Sequence, residues 1–151
     1  MKILIGTAIL FVLVQSAAMG VYAFPFGKYE RVEATADVVS LPVAKLADGK
    51  AHFYRFSARG KEINFFAVKA QDGSYRTAFD ACEVCYKEKK GFEQVGSSMV
   101  CKNCNKSFDI ARISQHETEG CNPSNLAHRQ NGAFLTIRVS DLAAGARFFD
   151  K

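Results

Sequence analysis

The chain has 151 residues, 48% hydrophobic and 23% charged, with 20 Lys+Arg against 15 Asp+Glu for a net charge of +5. This composition excludes a disordered tail, a collagen-like repeat and a polytopic membrane protein, and so mild a charge is no nucleic-acid footprint. The length admits one domain and a tether, and with 13 Phe and no Trp the core falls to Phe, Val, Ile and Leu.

At the N-terminus, no charge follows Lys2 until Lys28, and Ile3 to Val14 is an apolar stretch. Val21-Tyr22-Ala23 then offers a small-residue exit before Phe24-Pro25. Basic start, apolar middle and small exit are the order of a secretory signal. Residues 3–22 are also just long enough for an uncleaved membrane anchor, at ~20 residues per span. Either reading of residues 1–23, signal peptide or anchor, places the folded part outside the cytoplasmic membrane, in a periplasmic or other extracytoplasmic compartment.

Residues 24–50 read as a lead-in segment, with one short strand near Val38-Val39 and Leu41 and a turn at Asp48-Gly49. A β-domain is predicted over 51–151. Alternation over Ala51–Ala58 predicts a half-buried strand, Arg59-Gly60 a turn, and Ile63–Ala70 a second strand. Asp72-Gly73 is a hairpin signal, and Ser74–Phe79 returns toward Cys82. From Asp80 to about Leu126 periodicity fails and only Ser98-Met99-Val100 looks extended; so long an irregular stretch inside a compact domain points to function. Ala133–Val139 predicts the last strand, Ser140 the cap of one helical turn closed by Gly145, and Phe148-Phe149 a return to the core. The fold class expected is mainly β, a small antiparallel sandwich or barrel with two cysteine-bearing metal loops.

All five cysteines lie between Cys82 and Cys121. Cys82, Cys85, Cys101 and Cys104 are spaced C-x2-C-x15-C-x2-C. Two cysteines three apart on a tight turn can aim both sulfurs at one point, and two such turns facing each other at the ends of paired strands make a tetrahedral thiolate site. That site suits zinc, a mononuclear iron or a small iron–sulfur cluster. Four thiolates on a divalent ion leave a charge of about −2, which Lys87, Lys89, Lys90, Lys102 and Lys106 are placed to offset. The competing reading is two structural disulfides, which an oxidising compartment favours. Neither pair is followed by His, which excludes c-type haem attachment. Cys121 is unpaired by sequence: a buried free thiol, a cover over the site or an additional ligand. His52, His116 and His128 are weaker candidates, since a lone His is usually hydrogen-bonded or exposed.

The run Asp72-Gly73, Phe79-Asp80-Ala81-Cys82-x2-Cys85, Gly91-Phe92, Val100-Cys101-x2-Cys104, Phe108, Gly120-Cys121-Asn122-Pro123 and Leu126 resembles the FtrD-like membrane iron–sulfur family over roughly residues 50–150. The resemblance implies an iron or iron–sulfur centre on Cys82, Cys85, Cys101 and Cys104. It also implies membrane association and electron transfer accessory to ferrous iron transport, with a membrane redox or iron-transport protein as partner. The multi-span portion of longer members is not in this sequence, so a stand-alone cysteine domain is expected. A more distant resemblance, to Rieske-type domains, implies two metal loops on a Rieske-like β-scaffold. Rieske sites pair Cys with His, whereas here all four places are Cys, and an all-thiolate cluster has a lower potential.

The sequence offers no triad or carboxylate pair, so an electron carrier or metal-binding protein, not an enzyme, is expected, without catalytic residues, nucleic acid or small-molecule substrate. The alternatives are a docking module closed by structural zinc and a periplasmic metallochaperone for a soft ion such as Cu(I).

Overall fold

A computed structural model describes residues 27–114 and 120–150. The signal or anchor segment 1–23 and His116 lie outside the described residues.

The strands in chain order are β1 (Glu30–Val32), β2 (Val38–Pro42), β3 (His52–Ala58), β4 (Lys61–Lys69) and β5 (Tyr75–Cys82), then β6 (Phe92–Val95), β7 (Ser98–Cys101), β8 (Ser107–Asp109), β9 (Pro123–Asn125), β10 (Arg129–Asn131) and β11 (Phe134–Arg138). A single α-helical segment among the described residues, α1, spans Val139–Ala144. The strands form a five-stranded sheet in the order β1-β3-β4-β5-β9 and two three-stranded sheets, β10-β11-β2 and β6-β7-β8. The fold is mainly β. β1 runs parallel to β3, and the other pairings of described strands are antiparallel.

Side-chain alternation explains why three sheets stack. Successive residues of a strand face opposite sides, and β4 is apolar on both. Ile63, Phe65 and Ala67 join Val39 and Leu41 of β2 and Leu135 and Ile137 of β11 in one core. Phe66 and Val68 join Phe92, Met99 and Cys101 of the β6-β7-β8 sheet in a second. β5 divides likewise, with Phe79 and Ala81 in the first core and Ala78 and Cys82 in the second. The five-stranded sheet is therefore the middle layer: β3 is half-buried, as its alternation predicts, while β4 and β5 carry runs covered on both faces. The second core is the one that holds Cys82 and Cys101.

The turns follow residue chemistry. Arg59 and Gly60 both take positive φ, 49° and 78°, as a two-residue hairpin loop whose twist matches its strands requires. The chain also reverses tightly at Asp72-Gly73, where the Ala70 N–H donates to the Ser74 carbonyl at 2.8 Å. Residues 30–42 of the expected lead-in supply two strands: β1 extends the middle sheet and β2 pairs with β11 over five residues. Ser140 does not cap the helix. Arg138 holds the N-cap position, and its guanidinium pairs with Asp141 instead. Beyond α1, Phe148 is buried against Phe79 at 5.9 Å and Tyr86 at 5.4 Å between ring centroids.

Candidate metal centre

The two cysteine pairs are carried by different sheets. Cys82 is the last residue of β5 and Cys101 the last of β7, so the pairs do not end adjacent strands as the spacing suggested. They meet because β6-β7-β8 lies on the face of the middle sheet toward which Cys82 points. Two backbone links brace the centre, one from the second cysteine loop to the chain leaving the first, the other from the first loop to the segment before β9. The Lys102 N–H donates to the Gly91 carbonyl at 2.9 Å, and the Glu83 N–H to the Asn122 carbonyl at 3.1 Å.

After Cys101 the chain makes a tight knuckle. The Cys101 N–H donates to the Lys106 carbonyl and the Asn105 N–H to the Cys101 carbonyl, each at 2.9 Å, with Asn105 at φ 59°. Asn accepts this left-handed conformation better than most residues. The first loop is built otherwise. Tyr86 opens a 3-10 turn over Tyr86–Glu88, and the left-handed residue comes later, at Lys89 (φ 54°). Tyr86 then packs edge-on against Phe148, which anchors the outgoing end of the first loop to the first core.

The sulfurs of Cys82, Cys85 and Cys101 all lie within 4.8 Å of one another, and so do those of Cys85, Cys104 and Cys121. All five cysteines are free thiols, so the alternative of structural disulfides is not what the structure holds. Cys82 and Cys101 are buried, at 2% and 1% exposure; Cys85, Cys104 and Cys121 are half-buried. Between Cys82 and Cys85, Val84 is 62% exposed at the surface.

Hydrogen bonding makes the sulfurs unequal. Burial pushes the Cys101 thiol up to about 11, against the N–H groups of Cys104 and Asn103 that favour its anion. The Lys106 N–H is the main influence holding Cys104 down to about 7. The backbone of Lys106 thus acts directly on a sulfur, while the side chains of Lys87, Lys89, Lys90, Lys102 and Lys106 stand exposed around the loops. Burial, and then the neighbouring thiols of Cys85, Cys104 and Cys82, push Cys121 upward. Backbone N–H groups aimed at sulfur stabilise thiolate over thiol, the form that binds metal. Soft donors converging at this spacing, on an N–H-lined knuckle, fit iron, an iron–sulfur group or zinc.

The histidines of the described residues stand apart. His52 Nε2 lies 3.0 Å from Asp48 Oδ1, and His128 Nδ1 lies 2.8 Å from Thr77 Oγ1. A feature with no periodic signal in the sequence supports the centre from beneath. Two residues before Cys82, the Asp80 carboxylate is fully buried, with Lys28 Nζ and Tyr29 Oη each 2.5 Å from Oδ2 and the Phe92 N–H donating to Oδ1 at 2.6 Å. Lys28 also donates to the Phe92 carbonyl at 2.8 Å and sits 4.1 Å above the Phe53 ring. Only the D-A-C element, which puts an acid just ahead of Cys82, could have hinted at this network.

Among known families, the FtrD-like description, "membrane iron-sulfur containing protein FtrD-like", matches residues 46–149 of this chain. A solved structure with detectable similarity is the quaternary ammonium Rieske monooxygenase CntA with a bound inhibitor. It is 13% identical with a TM-score of 0.45, over 66% of this chain and 30% of that one. The chain thus spans under a third of that protein's length. No curated protein sequence matches.

Proposed function

The chain belongs to the FtrD-like membrane iron–sulfur family, and from that premise we propose that it is an exported or membrane-tethered electron carrier serving a membrane iron-transport system. Its cofactor is iron or an iron–sulfur cluster, and in this reading Cys82, Cys85, Cys101 and Cys104 hold it. The observation that carries the proposal is the meeting of cysteine pairs from two different sheets within a few ångströms. Bound iron supplies the one-electron chemistry.

The rest is the work of the chain's own groups. The N–H groups of Asn103, Cys104 and Lys106 stabilise anionic sulfur. Phe92, Met99 and Ile113 keep water from the inner side. Half-buried Cys85 and Cys104, beside exposed Val84, bring the outer side near the surface, where a partner can approach closely. A carrier needs no acid or base of its own, so the proposal assigns no catalytic residue. The partner is a membrane redox or iron-transport protein, and the apolar N-terminal segment provides export or tethering. Among the described residues no helix is long and apolar enough to cross a membrane.

The test is elemental analysis with an absorption spectrum on anaerobically purified protein. Iron, with visible absorption that bleaches or shifts under dithionite, is expected. Colourless protein containing stoichiometric zinc would replace the carrier by a zinc-closed docking module. Changing Cys82, Cys85, Cys101 or Cys104 singly to Ser is expected to lower metal per chain strongly.

A further inference from the structure

We propose that Cys121 is a fifth thiolate ligand and that the five sulfurs hold two metal ions, with Cys85 common to both. The inference rests on the metal-centre reading above and extends it in ligand set and metal count.

Three observations converge. First, the sulfurs of Cys82, Cys85 and Cys101 lie within 4.8 Å of one another, as do those of Cys85, Cys104 and Cys121, so that Cys85 is common to both groups, and Cys121 and Cys104 also neighbour Cys82 and Cys101 across them. One tetrahedral ion takes four ligands, which leaves a fifth converging sulfur unexplained; two three-sulfur corners with a shared atom account for all five. Second, Cys85 Sγ and Cys121 Sγ are 3.5 Å apart. A disulfide bond is ~2.05 Å, so this is no oxidised pair. Two sulfurs on one tetrahedral ion with bonds of ~2.3 Å stand ~3.8 Å apart, close to the distance found.

Third, Cys121 is delivered to the site by backbone. β9 begins two residues on, at Pro123, which is in register with Cys82, and the Asn122 carbonyl accepts the Glu83 N–H inside the first cysteine loop. Cys121 is thus tied to the loop of Cys82 and Cys85 as Cys101 is tied to Cys104. The corners differ in depth. Cys82 and Cys101 of the inner one are buried, whereas Cys85, Cys104 and Cys121 of the outer one are half-buried. Each ion has three protein sulfurs and a fourth position for sulfide or solvent, and the outer ion is the accessible one.

The test uses the whole chain, stripped of metal and titrated anaerobically with cadmium enriched in the 113 isotope. Two cadmium ions per chain are expected, giving two resonances split by mutual coupling through the shared sulfur. Cys121→Ser is expected to lose one ion and the splitting while keeping the other, with an unchanged circular dichroism spectrum. One ion per wild-type chain, or two in Cys121→Ser, overturns the inference. Wild-type chain that binds one ion, with none retained by Cys82→Ser, would leave the four-cysteine reading standing alone, whereas wild-type chain that binds no cadmium would overturn both. The coupling in wild-type protein decides the matter even if the variant misfolds.

Discussion

Asp80 puts a carboxylate where water does not reach, and it is tolerable there only because three donors meet it: the Lys28 ammonium, the Tyr29 hydroxyl and the Phe92 N–H. Burial lowers the Lys28 pKa against the pull of Asp80, while burial, and then Asp80, raise that of Tyr29. Removing one partner of a buried pair leaves an uncompensated charge and costs ~3–5 kcal/mol. Because Lys28 keeps 30% of its side chain exposed, Asp80→Asn is expected to cost less, about 2–3 kcal/mol. Urea unfolding measures this, and a change under ~0.5 kcal/mol, the scale of an ordinary surface substitution, would show the network to be idle.

His128 makes a second residue-scale case. The Thr77 hydroxyl gives its one hydrogen to the Leu126 carbonyl at 2.5 Å, so the contact at 2.8 Å assigns the imidazole proton to Nδ1. Burial lowers the His128 pKa. Below pH ~6.5 the unfolded chain therefore takes a proton that the folded one resists, and stability falls with acid until the folded pKa is passed. His128→Gln should flatten this part of the stability–pH curve between pH 7 and 5. An unchanged slope would mean that the imidazole titrates normally in the fold.

At the scale of elements, turns and cysteine spacings were legible because they are local. Arg59-Gly60 and Asp72-Gly73 announce hairpins through residues that fit the required backbone, and the two C-x2-C pairs announce converging sulfurs. The β6-β7-β8 sheet was not legible beyond Ser98–Val100. Its strands are short and carry Glu93, Gln94, Ser107 and Asp109, so pairing and the Cys101 knuckle define it more than any hydrophobic period does. Cys121 could be noticed but not placed, since its position depends on the distant pairing of β9 with β5. The layering of β4 was hidden for the opposite reason: Phe65 and Phe66 are both apolar, and alternation does not say that both faces are covered.

Gly91 shows how tightly these elements are fitted. It holds φ +65°, and a Cβ there would stand 2.6 Å from both Asp80 carboxylate oxygens, while its carbonyl accepts the Lys102 N–H. Gly91→Ala is expected to destabilise by about 2 kcal/mol or more, from left-handed backbone and overpacking together. Melting measurements on Gly91→Ala and on Gly96→Ala make the comparison. Gly96 also has positive φ but open space around its Cβ direction, so backbone strain alone predicts equal losses and the Asp80 clash predicts a larger one at Gly91.

For the whole molecule, the three layers make the segment before residue 51 part of the domain. The family match begins at residue 46, yet β1 and β2 lie upstream of it and join different sheets. β2 brings Val39 and Leu41, at 0% and 1% exposure, into the first core, and the same segment carries Lys28 and Tyr29 to Asp80. Two fully buried aliphatic side chains contribute ~1.5–3 kcal/mol each, a large part of a domain stability of ~5–15 kcal/mol. Deleting β2 also exposes β11 along the five residues it pairs, and an uncovered strand edge invites aggregation. A chain beginning at Gly27 is therefore expected to unfold cooperatively, and one beginning at Ala51 to lack a cooperative transition or to aggregate. Calorimetry on the two chains, prepared without metal, separates this from any effect of the centre. Matching transitions within a few degrees would make the upstream strands an accessory layer and leave the metal-bearing half able to fold alone.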